Sequence, residues 1–144
     1  MNWHKLIDWQ IESFGGNPAV MVEVTNGAMD SAIYTGEQIV SRGLIKSIQP
    51  FHCMDEESEM IAAIFKDGGI SFAFINGKHT YEDTIRHLKA WYPKVHYNSL
   101  MAGSGLDNPE VKRAVDDFCK DAGVPWREFL PGVWAVHHCH RMGQ

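Results

Sequence analysis

The chain has 144 residues, 44% of them hydrophobic and 22% charged, with a formal net charge of −5 at pH 7. This composition is typical of one globular domain, residues 1–144, that can bury a core without disulfides or metals. The acidic balance argues against nucleic-acid binding, which needs a basic face. The sequence contains no apolar run of about 18 residues, the length that would predict a membrane span. We therefore expect a small molecule or a protein as the partner, with no nucleic acid and no membrane.

Cysteine usage predicts the compartment. Three widely spaced cysteines, Cys53, Cys119 and Cys139, form an odd set without a Cys-x-x-Cys motif. Such a set argues against a disulfide framework and indicates a reducing environment. The first residues also lack a charged segment followed by an apolar one, so no secretory signal is predicted. We expect a cytoplasmic protein.

The first half of the chain alternates between helical and extended patterns. The predicted elements are a helix ending at Gly15, a strand over 19–24, a helix over 28–42 ending at Gly43, and a strand over 45–53. Pro50 places the second strand at an edge or a bulge. Asp55 follows that strand and could cap a helix.

The second half continues this alternation. Its predicted elements are a strand over 70–75, a helix opened at Thr80, a strand over 99–103, a helix from Asn108 to Gly123, and an antiparallel hairpin of 126–130 and 133–138. Thr80 with Asp83 is similar to a capping box, and Pro93 ends the helix that it opens. Strands alternating with helices predict a mainly parallel sheet with helices on both faces. The C-terminal hairpin is the departure from a plain nucleotide-binding sheet.

One segment carries a resemblance to a known family. Residues 74–82, FINGKHTYE, resemble the F-I-D-x-x-H-x-Y-E segment of a class I S-adenosylmethionine (SAM) methyltransferase family, often called methyltransferase domain 24. Further matches follow the family's order at 22–32, 90–95, 100–103 and 109–118. Together they cover most of the chain. The resemblance implies a Rossmann-like α/β fold, SAM as cofactor, and a small molecule as methyl acceptor.

The chain departs from this family at several motif positions. Thr25 and Met29 stand where the family has glycines, so side chains should crowd the cofactor's approach to the backbone. Asn76 replaces an aspartate that is a possible metal ligand or base, and Ser104 and Gly105 replace a His-Asp pair. These changes leave a second interpretation open, in which the fold is catalytically inactive and serves in binding or assembly. A third, remoter one keeps SAM for another reaction.

Candidate site residues lie along the carboxyl ends of the predicted strands, where open α/β sheets bind ligands. The cofactor-binding candidates are Glu23, Thr25, Asn26, Gly27, Ser31, Asp55 and Asn76. The turn at Asn26 could receive an anionic group at a helix N-terminus. Asp55 would bind the ribose if its strand is the second of the family, although its surroundings fit the third better. The catalytic candidates are His79, as a proton acceptor, and Asp107, which could replace the lost aspartate.

Plainer interpretations stand beside these. Glu23 could be a buried carboxylate satisfied by backbone amides, and His79 could tie its loop to Tyr81. The run His137-His138-Cys139-His140 has zinc-ligand chemistry, but a strand leaves only two of these side chains on one face. No metal is therefore expected.

The predicted sheet is also one strand short of the family's. The missing strand lies between the helix over 28–42 and the strand over 45–53. Its loss would leave a new sheet edge, and unprotected edges invite pairing. We therefore expect a homodimer that covers this edge.

Overall fold

The computed structural model describes Lys5, Asp8 and residues 19–25, 37–43 and 48–137. The predicted first helix is described only at Lys5 and Asp8, which are both helical. Three predicted cofactor residues, Asn26, Gly27 and Ser31, lie outside the described residues.

Six strands form one sheet in the described part of the chain. They are β1 (Ala19–Thr25), β2 (Ile48–Met54), β3 (Ile70–Asn76), β4 (Val95–Gly103), β5 (Trp126–Leu130) and β6 (Val133–His137). Their order across the sheet is β2-β1-β3-β4-β6-β5. The first four are parallel, and β6 runs antiparallel between β4 and β5. The predicted α/β architecture with a C-terminal antiparallel hairpin is confirmed.

Three helices connect these strands. They are α1 (Ser58–Ala62), which follows a 3-10 turn (Asp55–Glu57), α2 (Tyr81–Trp91), which continues into a 3-10 turn (Tyr92–Lys94), and α3 (Pro109–Ala122). Residues 37–41 are also helical, and Gly43 after them has a φ of 69°. No helix among the described residues is long and apolar enough to cross a membrane.

Helix starts follow the sequence signals, with one difference. The Asn108 side chain accepts a hydrogen bond from the first turn of α3, and Gly123 ends that helix with a φ of 72°. Thr80 likewise accepts from the N–H of Asp83 at the start of α2. The predicted capping box is only half formed, however. The carboxylate of Asp83 accepts from the backbone N–H of Lys78 (3.0 Å) instead of closing back on Thr80.

The main core lies between the sheet and helices α1 to α3. Val22 and Val24 of β1 belong to this core, together with Leu88 and Trp91 of α2 and apolar residues of α3. Because side chains alternate along a strand, Glu23 and Thr25 project to the opposite face. A smaller cluster on β3, β4 and β6 fills that second face, with Phe72, Phe74, Ala102, Val133 and Ala135.

Strand β4 begins four residues earlier than the sequence predicts. Val95 is fully buried, and it pairs with Ile70 at the start of β3. His96 and Tyr97 after it are exposed, so their polar pattern hides the strand from a search for apolar runs. The register also shifts between Ile70 and Phe72, which separates the two halves of β4.

Strand β2 lies directly beside β1, with Met54 in register with Thr25. Within the described residues β2 has a neighbour on one side only, so it is an edge strand there. Pro50 fits that position because an edge strand tolerates a missing N–H.

Candidate functional site

The strand order reverses at β1. Strand β2 lies on one side of β1, and β3, the next strand along the chain, lies on the other. Open α/β sheets bind ligands in the crevice outside the carboxyl ends of their strands at such a switch point. The last residue of β1, Thr25, is in register with Asn76, the last residue of β3. The rim at Thr25 and Asn76 is therefore the candidate site.

The predicted site residues of β1 lie beside this rim. Thr25 is buried, and Glu23 is buried two residues before it. The Oε1 atom of Glu23 lies 3.4 Å from Nδ1 of His52 on β2. Burial lowers the pKa of His52 from its ordinary value of 6.5, which favours the neutral imidazole beside the Glu23 carboxylate. Sequence reasoning did not select His52, although it is the residue in register with Glu23.

Three polar residues meet where β3 and β4 end. The hydroxyl of Ser104 donates to Oδ1 of Asn76 at 2.7 Å, and Nε2 of His79 lies 3.1 Å from the same hydroxyl. The backbone N–H of Ser104 also bonds to the carbonyl of Ile75, which joins the two strand ends. Asn108 supports His79 from the other side by donating its amide to the His79 carbonyl. We call Asn76, Ser104 and His79 the rim cluster.

The hydrogen bonds of the rim cluster fix the tautomer of His79. A serine hydroxyl carries one hydrogen, and here that hydrogen goes to Asn76. The hydroxyl must then accept the N–H of Nε2 of His79. Nδ1 takes no part in these hydrogen bonds, and the His79 residue is exposed to solvent. The rim cluster thus leaves Nδ1 as the ring nitrogen that can contact a ligand.

The glycine at 105 makes room for this imidazole. Gly105 has a φ of 86°, and a Cβ atom there would lie 2.6 Å from Cδ2 of the His79 ring. Ser104 and Gly105 replace the family's His-Asp pair, and Asn76 replaces its aspartate. Asn76 bonds to Ser104, Ser104 contacts His79, and His79 lies beside Gly105, so the three positions at which the chain differs from that motif lie together.

Asp107 lines an open cleft of about 340 Å³ between α3 and β5. The side chain is exposed, and basic side chains of Lys112 and Arg127 lie in the same cleft. The predicted catalytic pair thus consists of one residue in the rim cluster, His79, and one in a neighbouring cleft.

Asp55 turns away from the rim. It is fully buried, and its Oδ1 atom contacts Nε2 of His87 and lies 3.0 Å from Nη2 of Arg86. Both partners belong to α2, so the carboxylate faces the helix layer. The predicted role of Asp55 as a helix cap is wrong: it lies inside the 3-10 turn, whose N-cap residue is Met54.

Sequence reasoning did not select the buried residues around Asp55. The sequence carries a signal for part of their arrangement and none for the rest. Asp83 and His87 are four residues apart on a helix, so their shared face could be inferred from spacing. Their contact with Asp55 could not, because 32 residues separate it from His87.

Comparison with solved structures places the fold among methyltransferases. The O-methyltransferase NovP superposes with a TM-score of 0.69 at 13% identity, over 95% of this chain and 79% of that one. An O-methyltransferase from Bacillus cereus in complex with SAH gives 0.60 at 11% identity, over 94% and 80%.

A third similar structure is MycE, a methyltransferase of the mycinamycin pathway in complex with Mg, SAH and mycinamycin VI. It gives a TM-score of 0.67 at 11% identity, and the match covers 97% of this chain but 50% of MycE. No family model and no curated protein sequence matches the chain. At these identities the likeness is one of fold.

Proposed function

We propose that this protein binds SAM at the switch point between β1 and β3 and transfers its methyl group to a small molecule. The observation that carries the proposal is the rim cluster beside Thr25, on a fold shared with proteins that were crystallised with SAH, the product of SAM. In this proposal Glu23, Thr25 and Asn76 line the cofactor pocket, together with Asn26, Gly27 and Ser31, which follow β1 in the sequence. Asp55 is left out because its carboxylate is buried against α2.

The chain's own residues would supply positioning and proton transfer. SAM brings a methyl group on a sulfonium, so the protein needs chiefly to hold the acceptor oxygen in line with it. Nδ1 of His79 would accept the proton that this oxygen loses. Ser104 would keep His79 in the required tautomer, and the Asn76 amide would donate to a ligand. Asp107 would contact the acceptor from the adjoining cleft.

Calorimetric titration with SAM tests the cofactor part. We expect saturable binding that Asn76→Ala weakens and His96→Gln, an exposed histidine on β4, leaves unchanged. Absence of heat at millimolar SAM would remove the proposal.

Methyl transfer from labelled SAM to a panel of hydroxylated small molecules tests the chemistry. General-base catalysis contributes about 10²–10⁴-fold, so His79→Gln should lower kcat within that range while leaving SAM affinity intact. Equal loss of binding and turnover would instead make His79 a structural residue.

A second candidate function, a catalytically inactive fold used in binding or assembly, is favoured by Thr25. This buried side chain stands where the family resemblance expects a glycine that lets the cofactor approach. SAM binding without transfer to any acceptor, or no SAM binding at all, would support this candidate.

We also propose a homodimer formed at the β2 edge. Phe51 on this strand is 39% exposed, and Ile64, after α1, is 74% exposed, so apolar surface accompanies the edge. Light scattering should give the mass of a dimer, and Phe51→Glu should reduce it to that of a monomer. A monomer mass for the unaltered protein at high micromolar concentration would refute this.

A cytoplasmic location is proposed from the cysteines. Cys53 and Cys119 are free and buried, and burial raises the pKa of their thiols to about 11 and about 12. Such thiols resist oxidation and metal binding, as expected of structural cysteines in a reducing compartment.

A further inference from the structure

A second polar cluster lies beside Gly77, at the same end of the sheet as the rim, and includes residues of α2. One carboxylate oxygen each from Asp55 and Asp83, and one ring nitrogen of His87, all lie within 4.8 Å of one another. Asp55 and His87 are at most 1% exposed, and Asp83 is 7% exposed. Two carboxylates and an imidazole are the donor set that first-row divalent metals use in proteins. We call these three residues the buried cluster.

His87 is oriented as a metal-binding histidine is. Its Nδ1 atom lies 2.8 Å from the hydroxyl of Ser58, and that hydroxyl also accepts the indole N–H of Trp91 at 2.6 Å. These contacts fix the ring and point Nε2 at the two carboxylates. A hydrogen bond to the second ring nitrogen is the usual way in which proteins set the direction of a histidine ligand.

Hydrogen bonds alone do not satisfy the buried cluster. Nε2 of His87 contacts Oδ1 of Asp55 and lies 3.1 Å from Oδ2 of Asp83, but one ring nitrogen carries at most one hydrogen. Oδ2 of Asp55 is buried and has no hydrogen-bond partner among the described residues. A cation held by Nε2 of His87, by Asp83 and by both oxygens of Asp55 would meet both demands, because it would also bind the unpartnered Oδ2.

The surrounding charges leave room for such a cation. The carboxylates of Asp55, Asp83 and Glu59 surround Arg86, whose guanidinium contacts all three. Lys78 lies 3.9 Å from Oδ2 of Asp55, with its side chain 62% exposed, so it can move into solvent. Asp55, Asp83 and Glu59 with Arg86 and Lys78 carry a net charge of −1, which becomes −2 when Lys78 moves into solvent and a divalent ion takes its place.

We propose that Asp55, Asp83 and His87 bind a divalent transition metal, with zinc as the probe ion. Asp55 and His87 are almost completely buried, so the role assigned to this site is structural. It would join the end of β2 to α2 and fix the loop that follows β3, since Gly77 of that loop lies against all three donor atoms. The proposal does not depend on SAM binding.

Zinc titration with a competing fluorescent chelator tests it. The experiment uses a background variant in which His138, Cys139 and His140 are replaced by alanine, which removes the other zinc-like run. We expect saturable binding of one zinc per chain and a higher Tm in zinc than in EDTA. His87→Gln and Asp83→Asn should each weaken the affinity by at least about tenfold.

Matched controls are His96→Gln, an exposed histidine, and Asp67→Asn, whose side chain is 79% exposed. Both should bind zinc as the background variant does. Absence of saturable binding in the background variant, or unchanged affinity in His87→Gln and Asp83→Asn, would overturn the proposal.

Cobalt(II) binding can be measured on the background variant alone. This test therefore does not require a variant that lacks a metal-binding side chain to fold. A site of two carboxylates and one imidazole should show d–d bands without the near-ultraviolet charge-transfer band of a cobalt thiolate. A thiolate band in the background variant would overturn the proposal, because it would place the metal on Cys53 or Cys119.

Discussion

The rim cluster and the buried cluster share one loop but differ in charge and in access to solvent. The rim cluster joins Asn76, Ser104 and His79 through one serine hydroxyl without any carboxylate, and His79 is exposed. The buried cluster holds two carboxylates against His87 and Arg86 with almost no exposure. Buried charges without a partner are costly, so the buried cluster should dominate stability. The rim cluster contains no carboxylate and exposes His79, so it is suited to contact a ligand.

The largest expected effect comes from removing one charge of the buried cluster. Asp55→Ala removes one of the two carboxylates that Arg86 and His87 share, the other being Asp83, and breaking a buried ion pair costs about 3–5 kcal/mol. The matched control is Asp67→Ala, since Asp67 pairs with Lys94 at 3.1 Å on the surface. A surface pair contributes about 0–1 kcal/mol. Urea unfolding measures the loss of stability in both variants. Equal losses would contradict the expected difference between the buried and the surface ion pair.

A second test separates backbone strain from ring packing at the rim. Gly105 and Gly132 both have a positive φ, 86° and 78°, but only at Gly105 would a Cβ atom meet the His79 ring. Replacing either glycine by alanine should cost about 1–3 kcal/mol from the strained conformation. Gly105→Ala should cost about 1 kcal/mol more, because of overpacking against the ring. Calorimetric unfolding of the two alanine variants measures the difference in stability between them. A larger loss of stability for Gly132→Ala would contradict the prediction.

Removing the central hydroxyl of the rim cluster should have a smaller effect. Ser104→Ala removes the hydroxyl that donates to Asn76 and contacts His79, and the loss of a hydrogen bond costs about 1 kcal/mol. Ser41→Ala is the control, since Ser41 makes an exposed hydrogen bond to the Gln38 carbonyl. The sharper readout is the ¹⁵N spectrum of His79. It should show hydrogen on Nε2 in the unaltered protein and a tautomer mixture in the variant.

The sequence predicts the elements of this fold better than the contacts of its site. Buried apolar runs and helix signals such as Asn108 and Gly123 are local, and the structure keeps them where the pattern places them. The exposed start of β4 at His96 is missed because its side chains face water. A strand of that kind is specified by its pairing with β3, which the local pattern does not encode.

The candidate site shows the same division. The rim position of Asn76 follows from the strand that precedes it, so the sequence is sufficient to select it. The direction of the Asp55 side chain does not follow from the sequence nearby. It is set by His87 and Arg86, which belong to a helix more than 30 residues further along. The connection of Ser104 to His79 is likewise a tertiary contact, and the sequence shows only that a family residue is replaced.

The smallest expected effect concerns His52, which lies between the extremes of exposed His79 and buried His87. Its side chain is 24% exposed beside Glu23, and burial lowers its pKa below 6.5. The unfolded chain then binds more protons than the folded one as the pH falls below 6.5, so stability is complete above that value and is lost on acidification.

His52→Gln should therefore make the free energy of unfolding decline less steeply as the pH falls below 6.5. His96→Gln, at an exposed position, serves as the control and should keep the slope of the unaltered protein. Urea unfolding across this pH range measures the slopes. A steeper decline in His52→Gln would mean that attraction between protonated His52 and the Glu23 carboxylate outweighs burial. His52 and Glu23 would then form a charged pair between β2 and β1, similar to the pairs of the buried cluster.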